Sequence, residues 1–235
     1  MSGMQYLVGT SGYNYPEWRG SFYPEKFSTA KMLAYYAARF NTVEVNYTFY
    51  RIPTVALLEG WSAGTPEGFV FTLKAPRRIT HDAKLQRVED LTLTFCKTAT
   101  TLGSKLGILL FQLPPTFKRD DVVFGAFLAT IPDGTRAAFE FRHPSWHDET
   151  VFDALRRRNL ALCVADSEKL STPVVPTADY TYFRLRDEGY QAADIERWAR
   201  VIQSHEAPRG AHVYFKHEEQ GKGPELAQQL VSMLT

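Results

Sequence analysis

Side chains able to do chemistry recur at one kind of place in this chain, the ends of short β-rich runs. Glu44 and Asn46 lie two residues apart, as do Glu140 and Arg142, and Arg184 and Arg186. Each pair therefore shares one face of an extended strand. Lys74, Gln112, Asp166 and Lys216 end four further runs, and the first run ends in Thr10-Ser11-Gly12-Tyr13. Carboxylates and imidazoles so placed transfer protons, while Arg and Lys grip carboxylate or phosphate. Glu44, Lys74, Glu140, His143 and Asp166 are the candidate catalytic groups. Ser11, Tyr13, Asn46, Tyr50, His81 and Gln112 are candidate substrate contacts, together with Arg142, Trp146, Arg184, Arg186 and Lys216.

The sign of this set is informative. Glu44, Glu140 and Asp166 face Lys74, Arg142, Arg184, Arg186 and Lys216, a local excess of two positive charges on a chain whose net charge is only +1. A small anion or a phosphate group is the expected ligand, with Arg142, Arg184 and Lys216 gripping it. Glu44 or Glu140 is then the general base or acid, and Lys74 an electrostatic stabiliser. Lys74 becomes a Schiff-base nucleophile only if desolvated, and its neighbours Glu44 and Gln112 on adjacent strands favour an ammonium instead.

Two alternatives stand beside this. Tyr13, Tyr15, Trp18, Phe22, Tyr23, Phe49, Tyr50 and Trp146 are either a hydrophobic plug under long loops or a stacking surface. A stacking surface would suit nucleic acid. His81 and His143 with Glu140 or Asp166 are a third option, a metal-dependent hydrolase, although no HxH or HExxH spacing supports it and no metal ligand is assigned. No cofactor is expected. The loop 15–24 reads as a candidate lid.

The elements that position these groups follow from periodicity. Strand-like runs occupy residues 6–10, 42–47, 69–74, 106–113, 135–142, 160–166, 180–186 and 211–216. Between them lie stretches of helical period, such as Met32, Leu33, Tyr36, Ala37 and Phe40, or Ile195, Trp198, Ala199 and Ile202. Strict alternation requires a parallel sheet with helices outside. Eight units repeating at about 29 residues suit a (β/α)8 barrel of TIM type, with residues 1–235 as one domain. Residues 167–177 contain Pro173 and Pro176 and no helical face, so the sixth helix is expected to be short or missing. Cys96 and Cys163 exclude a disulfide scaffold by number, and no stretch is long and apolar enough for a membrane span. A cytoplasmic location without membrane contact is the expectation.

The motifs Gly9-Thr10-Ser11-Gly12-Tyr13, Trp18-Arg19-Gly20 and Phe22-Tyr23-Pro24 resemble the opening of the YecE-like family, also catalogued as domain of unknown function 72. The resemblance continues through Thr42-Val43-Glu44-Val45-Asn46, Gln112-Leu113-Pro114-Pro115 and Phe139-Glu140-Phe141-Arg142-His143. Tyr182-Phe183-Arg184 and Tyr214-Phe215-Lys216 complete it. It implies a TIM-type barrel and no settled activity. Many members carry Phe-Asn-Asn or Phe-Asp-Asn where this chain has Phe215-Lys216-His217, so ligand details at that strand are expected to differ. Members have been compared with endonuclease IV-like barrels, a fold analogy that bears on the nucleic-acid alternative.

Overall fold

The computed structural model describes residues 4–167, 170–205 and 207–234. Eight parallel strands form a nearly closed barrel: β1 (Tyr6–Thr10), β2 (Thr42–Val45), β3 (Val70–Lys74), β4 (Leu106–Gln112), β5 (Ala137–Glu140), β6 (Ala161–Ser167), β8 (Thr181–Leu185) and β9 (Ala211–Phe215). A short strand, β7 (Leu170–Ser171), pairs antiparallel with β6. The helices are α1 (Thr29–Ala37), α2 (Val55–Ala63), α3 (Glu89–Ala99), α4 (Asp121–Thr130), α5 (Glu149–Arg157), α6 (Ala192–Gln203) and α7 (Lys222–Leu234). All eight expected strands and the flanking helices are present. The expected gap is present too: among the described residues no helix joins β6 to β8.

Side-chain caps start several helices. The Asp120 carboxylate accepts from Val123 N at 3.0 Å at the head of α4, and Thr54 Oγ1 accepts from Leu57 N at 3.2 Å at the head of α2. Each cap satisfies an amide that the first helical turn leaves free.

Alternation along the strands divides the apolar residues into two groups. Outward residues such as Val43, Phe71, Phe111, Phe139 and Val213 pack under the helices. Inward residues Ile108, Leu110, Ala138, Cys163, Tyr182 and Tyr214 fill the barrel. Cys163 is thus a packing residue, buried and free. A polar layer crosses the middle, where the Tyr214 hydroxyl lies 2.8 Å from both Thr42 Oγ1 and Thr72 Oγ1. The charged layer lies above it, at the C-terminal ends of the strands.

The β1–β2 seam closes differently from the rest. Its backbone bridge among the described residues is Ser11 with Glu44, and Gly12 N donates to Glu44 O at 2.8 Å. Lower down, a side chain takes the place of a ladder bond. The Tyr36 hydroxyl accepts from Thr10 N at 2.8 Å and donates to Thr42 O at 3.1 Å. Gly9 makes this approach feasible, because a Cβ there would lie 2.2 Å from Thr42 O.

Candidate functional site

The inward end of the barrel is organised by one guanidinium. Arg184, on β8, is fully buried. It donates from Nε to Glu44 Oε2 at 2.8 Å and from Nη2 to Glu44 Oε1 at 2.8 Å. Nη1 donates to Glu140 Oε2 at 2.7 Å, and Nη2 also reaches Ser11 Oγ at 3.0 Å. Glu44 and Glu140 come from β2 and β5 and are themselves fully buried.

Both carboxylates find further donors. Glu44 accepts from the Ser11 and Tyr182 hydroxyls. Glu140 accepts from Gln112 Nε2 at 2.8 Å and from Arg142 Nε at 2.8 Å. Asn46 Nδ2 donates to Ser11 Oγ at 3.0 Å, and its Oδ1 is buried without a partner.

Burial alone would raise the Glu44 carboxyl, but the charge and hydrogen bonds of Arg184, with Ser11 and Tyr182, hold it below the ordinary carboxylate range. Glu140 is likewise held low against its burial, by Arg184 and Arg142 and by the Gln112 hydrogen bond. Both carboxylates stay ionised, and hydrogen bonds within the cluster take all of their lone pairs but one, on Glu140 Oε1. The expectation that one of them is a general base, or that Arg184 grips the substrate, is therefore corrected. These three groups hold one another.

Lys74 is corrected in the opposite sense. Glu44 and Gln112 were expected to hold it as an ammonium, but Glu44 is taken by Arg184, Ser11 and Tyr182, and among the described residues no hydrogen bond joins Lys74 to Gln112. Among the described residues no carboxylate lies within ion-pair distance of Lys74. Its Nζ sits 4.2 Å from the centroid of the Phe49 ring. The residue is only 8% exposed. Burial, with the nearby charge of Arg184, lowers its pKa to about 7, against the opposing pull of Glu140 and Glu44. His81 stands edge to face against the same ring, with its centroid 5.0 Å from that of Phe49. Burial and the neighbouring Lys74, Arg142 and Arg77 lower the imidazole to about 4, so it is neutral at pH 7.

A partly exposed crown of cations surrounds this layer. The Arg142, Arg186 and Lys216 side chains are 25%, 26% and 32% exposed. Arg186 Nη1 lies 3.9 Å from Glu140 Oε1, and its Nε is buried without a partner. Lys216 Nζ lies 3.5 Å from Glu218 Oε1. Burial and the charges of Arg184 and Arg186 lower the Lys216 pKa. Glu218 was not anticipated, because it stands in a loop beyond the last strand. Tyr182 was also missed, although its spacing of two from Arg184 places it on the same face.

Several expected contacts lie elsewhere. Asp166 points outward to α6, accepting from the Tyr190 hydroxyl at 2.9 Å and Trp198 Nε1 at 3.2 Å. Trp146 is fully buried against Phe141, and its Nε1 donates to Phe117 O at 2.7 Å. His143 caps its own turn, with Nδ1 accepting from Ser145 N at 3.2 Å. Tyr50 is 74% exposed and meets only the rim aromatic Phe49 edge to face. Tyr13 lines a side cavity of about 270 Å³ with Asn46, Tyr47 and Trp61. The loop 15–24 is a plug rather than a lid. Trp18 and Tyr23 are buried within it, and Trp18 Nε1 is pinned to Glu218 O at 2.9 Å.

Among the described residues no group of three or more His, Cys, Asp or Glu converges as a metal would require. No helix is long and apolar enough to cross a membrane.

This architecture has known relatives. A DUF72 family protein from Thermotoga maritima has a TM-score of 0.87 at 26% identity, over 98% of this chain and 99% of the other. One from Enterococcus faecalis has a TM-score of 0.81 at 19% identity, over 98% and 95%, which supports the fold alone. The Escherichia coli K12 UPF0759 protein YecE is 31% identical over 138 residues, 56% of this chain and 51% of that protein. The Bacillus subtilis UPF0759 protein YunF is 28% identical over 171 residues, 67% of this chain and 60% of that protein. The matches thus span little more than half the length of these curated relatives. The model of "Protein of unknown function DUF72" matches residues 7–235, which takes in every strand of the barrel but the first residue of β1, and with it the Arg184 cluster: the chain belongs to the DUF72 family.

Proposed function

We propose that this protein is an enzyme that binds a small anionic or phosphorylated substrate at the C-terminal mouth of the barrel. One observation carries the reading. The two carboxylates of the mouth are bound to Arg184 below, while the side chains of Arg142, Arg186 and Lys216 stay partly exposed above them. A surplus of partly exposed cations gathered at one end of the barrel attracts an anion. In this reading Arg142, Arg186 and Lys216 hold the anion. Lys74, beside the neutral His81, is the group able to exchange a proton near neutrality.

Of the aromatics behind the nucleic-acid alternative, Trp18, Tyr23 and Trp146 are interior and offer no stacking face, while Tyr50 is exposed.

Inorganic phosphate tests the proposal. Saturation at one hundred times the dissociation constant stabilises a protein by about 2.7 kcal/mol, visible as a rise in Tm. Wild type should show the rise, and an Arg186→Ala/Lys216→Ala double variant should lose it while remaining folded. A wild type indifferent to phosphate, sulfate and small carboxylates would sink the idea.

A further inference from the structure

We infer that Lys74 is a nucleophilic amine that condenses with the carbonyl group of a small anionic aldehyde or ketone. The inference rests on the reading of the mouth as an anion site and assigns that site a substrate class.

The argument begins with what Lys74 lacks. A lysine that serves only as a positive charge is paired with a carboxylate or left in water. Lys74 has neither. It is nearly buried, and the two carboxylates in its layer are already bound by Arg184. Its ammonium meets the face of Phe49 instead. The position is also firmly set. Lys74 is the last residue of β3, and its carbonyl accepts from Thr48 Oγ1 at 2.7 Å. The next amide, Ala75 N, donates to Leu110 O at 2.8 Å.

Two fixed cations, Arg184 and Arg142, act on it from the same layer. Both disfavour its protonated form, and the free amine is the nucleophile. Gln112 Nε2 donates to Glu140, and among the described residues no hydrogen bond joins the amine to Gln112 Oε1. Glu140 and Glu44 favour an ammonium through their charge and Phe49 through its ring, but among the described residues none of them accepts a hydrogen bond from it. The partly exposed crown above supplies what a carbonyl substrate with an anionic tail needs for orientation.

The chemistry balances without an oxidant or reductant. The Lys74 nitrogen lone pair forms a bond to the carbonyl carbon, and the carbonyl π electrons move to oxygen. A proton passes from nitrogen to that oxygen, giving a carbinolamine. Loss of water then leaves the imine. His81, neutral and edge to face against the same Phe49 ring, is a group able to relay that proton.

The test uses glyoxylate as the anionic aldehyde, propionaldehyde as the uncharged one, and cyanoborohydride to trap the imine. Labelled sites are read by peptide mass mapping of the full chain. At pH 7 glyoxylate should label Lys74 about tenfold or more faster than exposed lysines such as Lys31. Inorganic phosphate should slow that labelling, propionaldehyde should show less preference for Lys74, and Lys74→Met should abolish it. Labelling of Lys74 no faster than of Lys31 in wild type would overturn the inference. The phosphate-induced rise in Tm is measured on the same samples. If the rise persists while Lys74 goes unlabelled, the anion site stands and the nucleophile falls. If both are absent, the reading of the mouth fails first.

Discussion

Arg184 Nη1 stands 2.7 Å from Glu140 Oε2, with neither side chain reaching solvent. The other edge of the same guanidinium closes on Glu44, so strands β2, β5 and β8 are tied across the barrel by one planar group. Desolvating three charges is costly, and the cost is offset only because each hydrogen bond is made. Such a cluster is a support for the mouth rather than its working part.

Removing the guanidinium leaves two buried carboxylates without their main partner. Arg184→Met should destabilise the protein by about 3–5 kcal/mol. Arg142→Met should cost about 1 kcal/mol or less, because Glu140 retains Arg184 and Gln112. Urea denaturation of the two variants checks this. Equal costs would show that the charge is shared rather than centred on Arg184.

Acid should undo the same cluster. The folded-state pKa of Glu140 lies below its ordinary value of 4.5, so its contribution is fully present above about pH 4.5 and is lost as pH falls below it. Wild-type Tm should therefore drop steeply below that pH. Glu140→Gln, less stable at neutral pH, should show a shallower drop in the same range. Parallel Tm curves for the two proteins between pH 3 and 6 would contradict the assignment.

Lys74 depends on pH in the same direction, but in a higher window. Its folded-state pKa of about 7 lies below the ordinary 10.5, so the native state sheds a proton that the unfolded chain still holds. Stability from this group rises with pH across that window, and the penalty for protonating it is complete below pH 7. Lys74→Met should thus gain most over wild type at pH 6, with an upper bound on the order of 5 kcal/mol, and the gain should fade by about pH 10.5. Calorimetric melts at the two pH values decide it. A gain that does not shrink with pH would mean that Lys74 is an ordinary ammonium.

Periodicity made the frame legible. Eight runs of alternating residues placed Glu44 with Asn46, Glu140 with Arg142 and Arg184 with Arg186 on inward faces, as found. Asp166 was misassigned because being last on a strand says nothing about which face a residue shares. Its own strand held the correction: Cys163 and Ala165 point inward, so Asp166, one residue on, must point out. Trp146 and His143 were misassigned for a related reason. Loop residues after a strand turn back onto the helices as readily as over the mouth. Lys74 shows a deeper limit. Which acceptor takes which donor is decided by three-dimensional competition, and Arg184 won both carboxylates that might have held the lysine.

The phenol of Tyr36 has a consequence for motion. At the β1–β2 seam it stands where the other strands carry repeated backbone ladders. A barrel held by a side chain at one joint has a tear line. Sub-global opening should start there, swinging β1 away from β2 before any other pair separates. The Thr10 amide, protected by a hydroxyl rather than a strand, reports it. In native-state hydrogen exchange it should lose its proton ahead of the amides of β4 and β5, and faster still in Tyr36→Phe. Ser11, which closes the top of the same joint, would leave Glu44 as the seam parts, so the charged cluster is coupled to this one line of weakness.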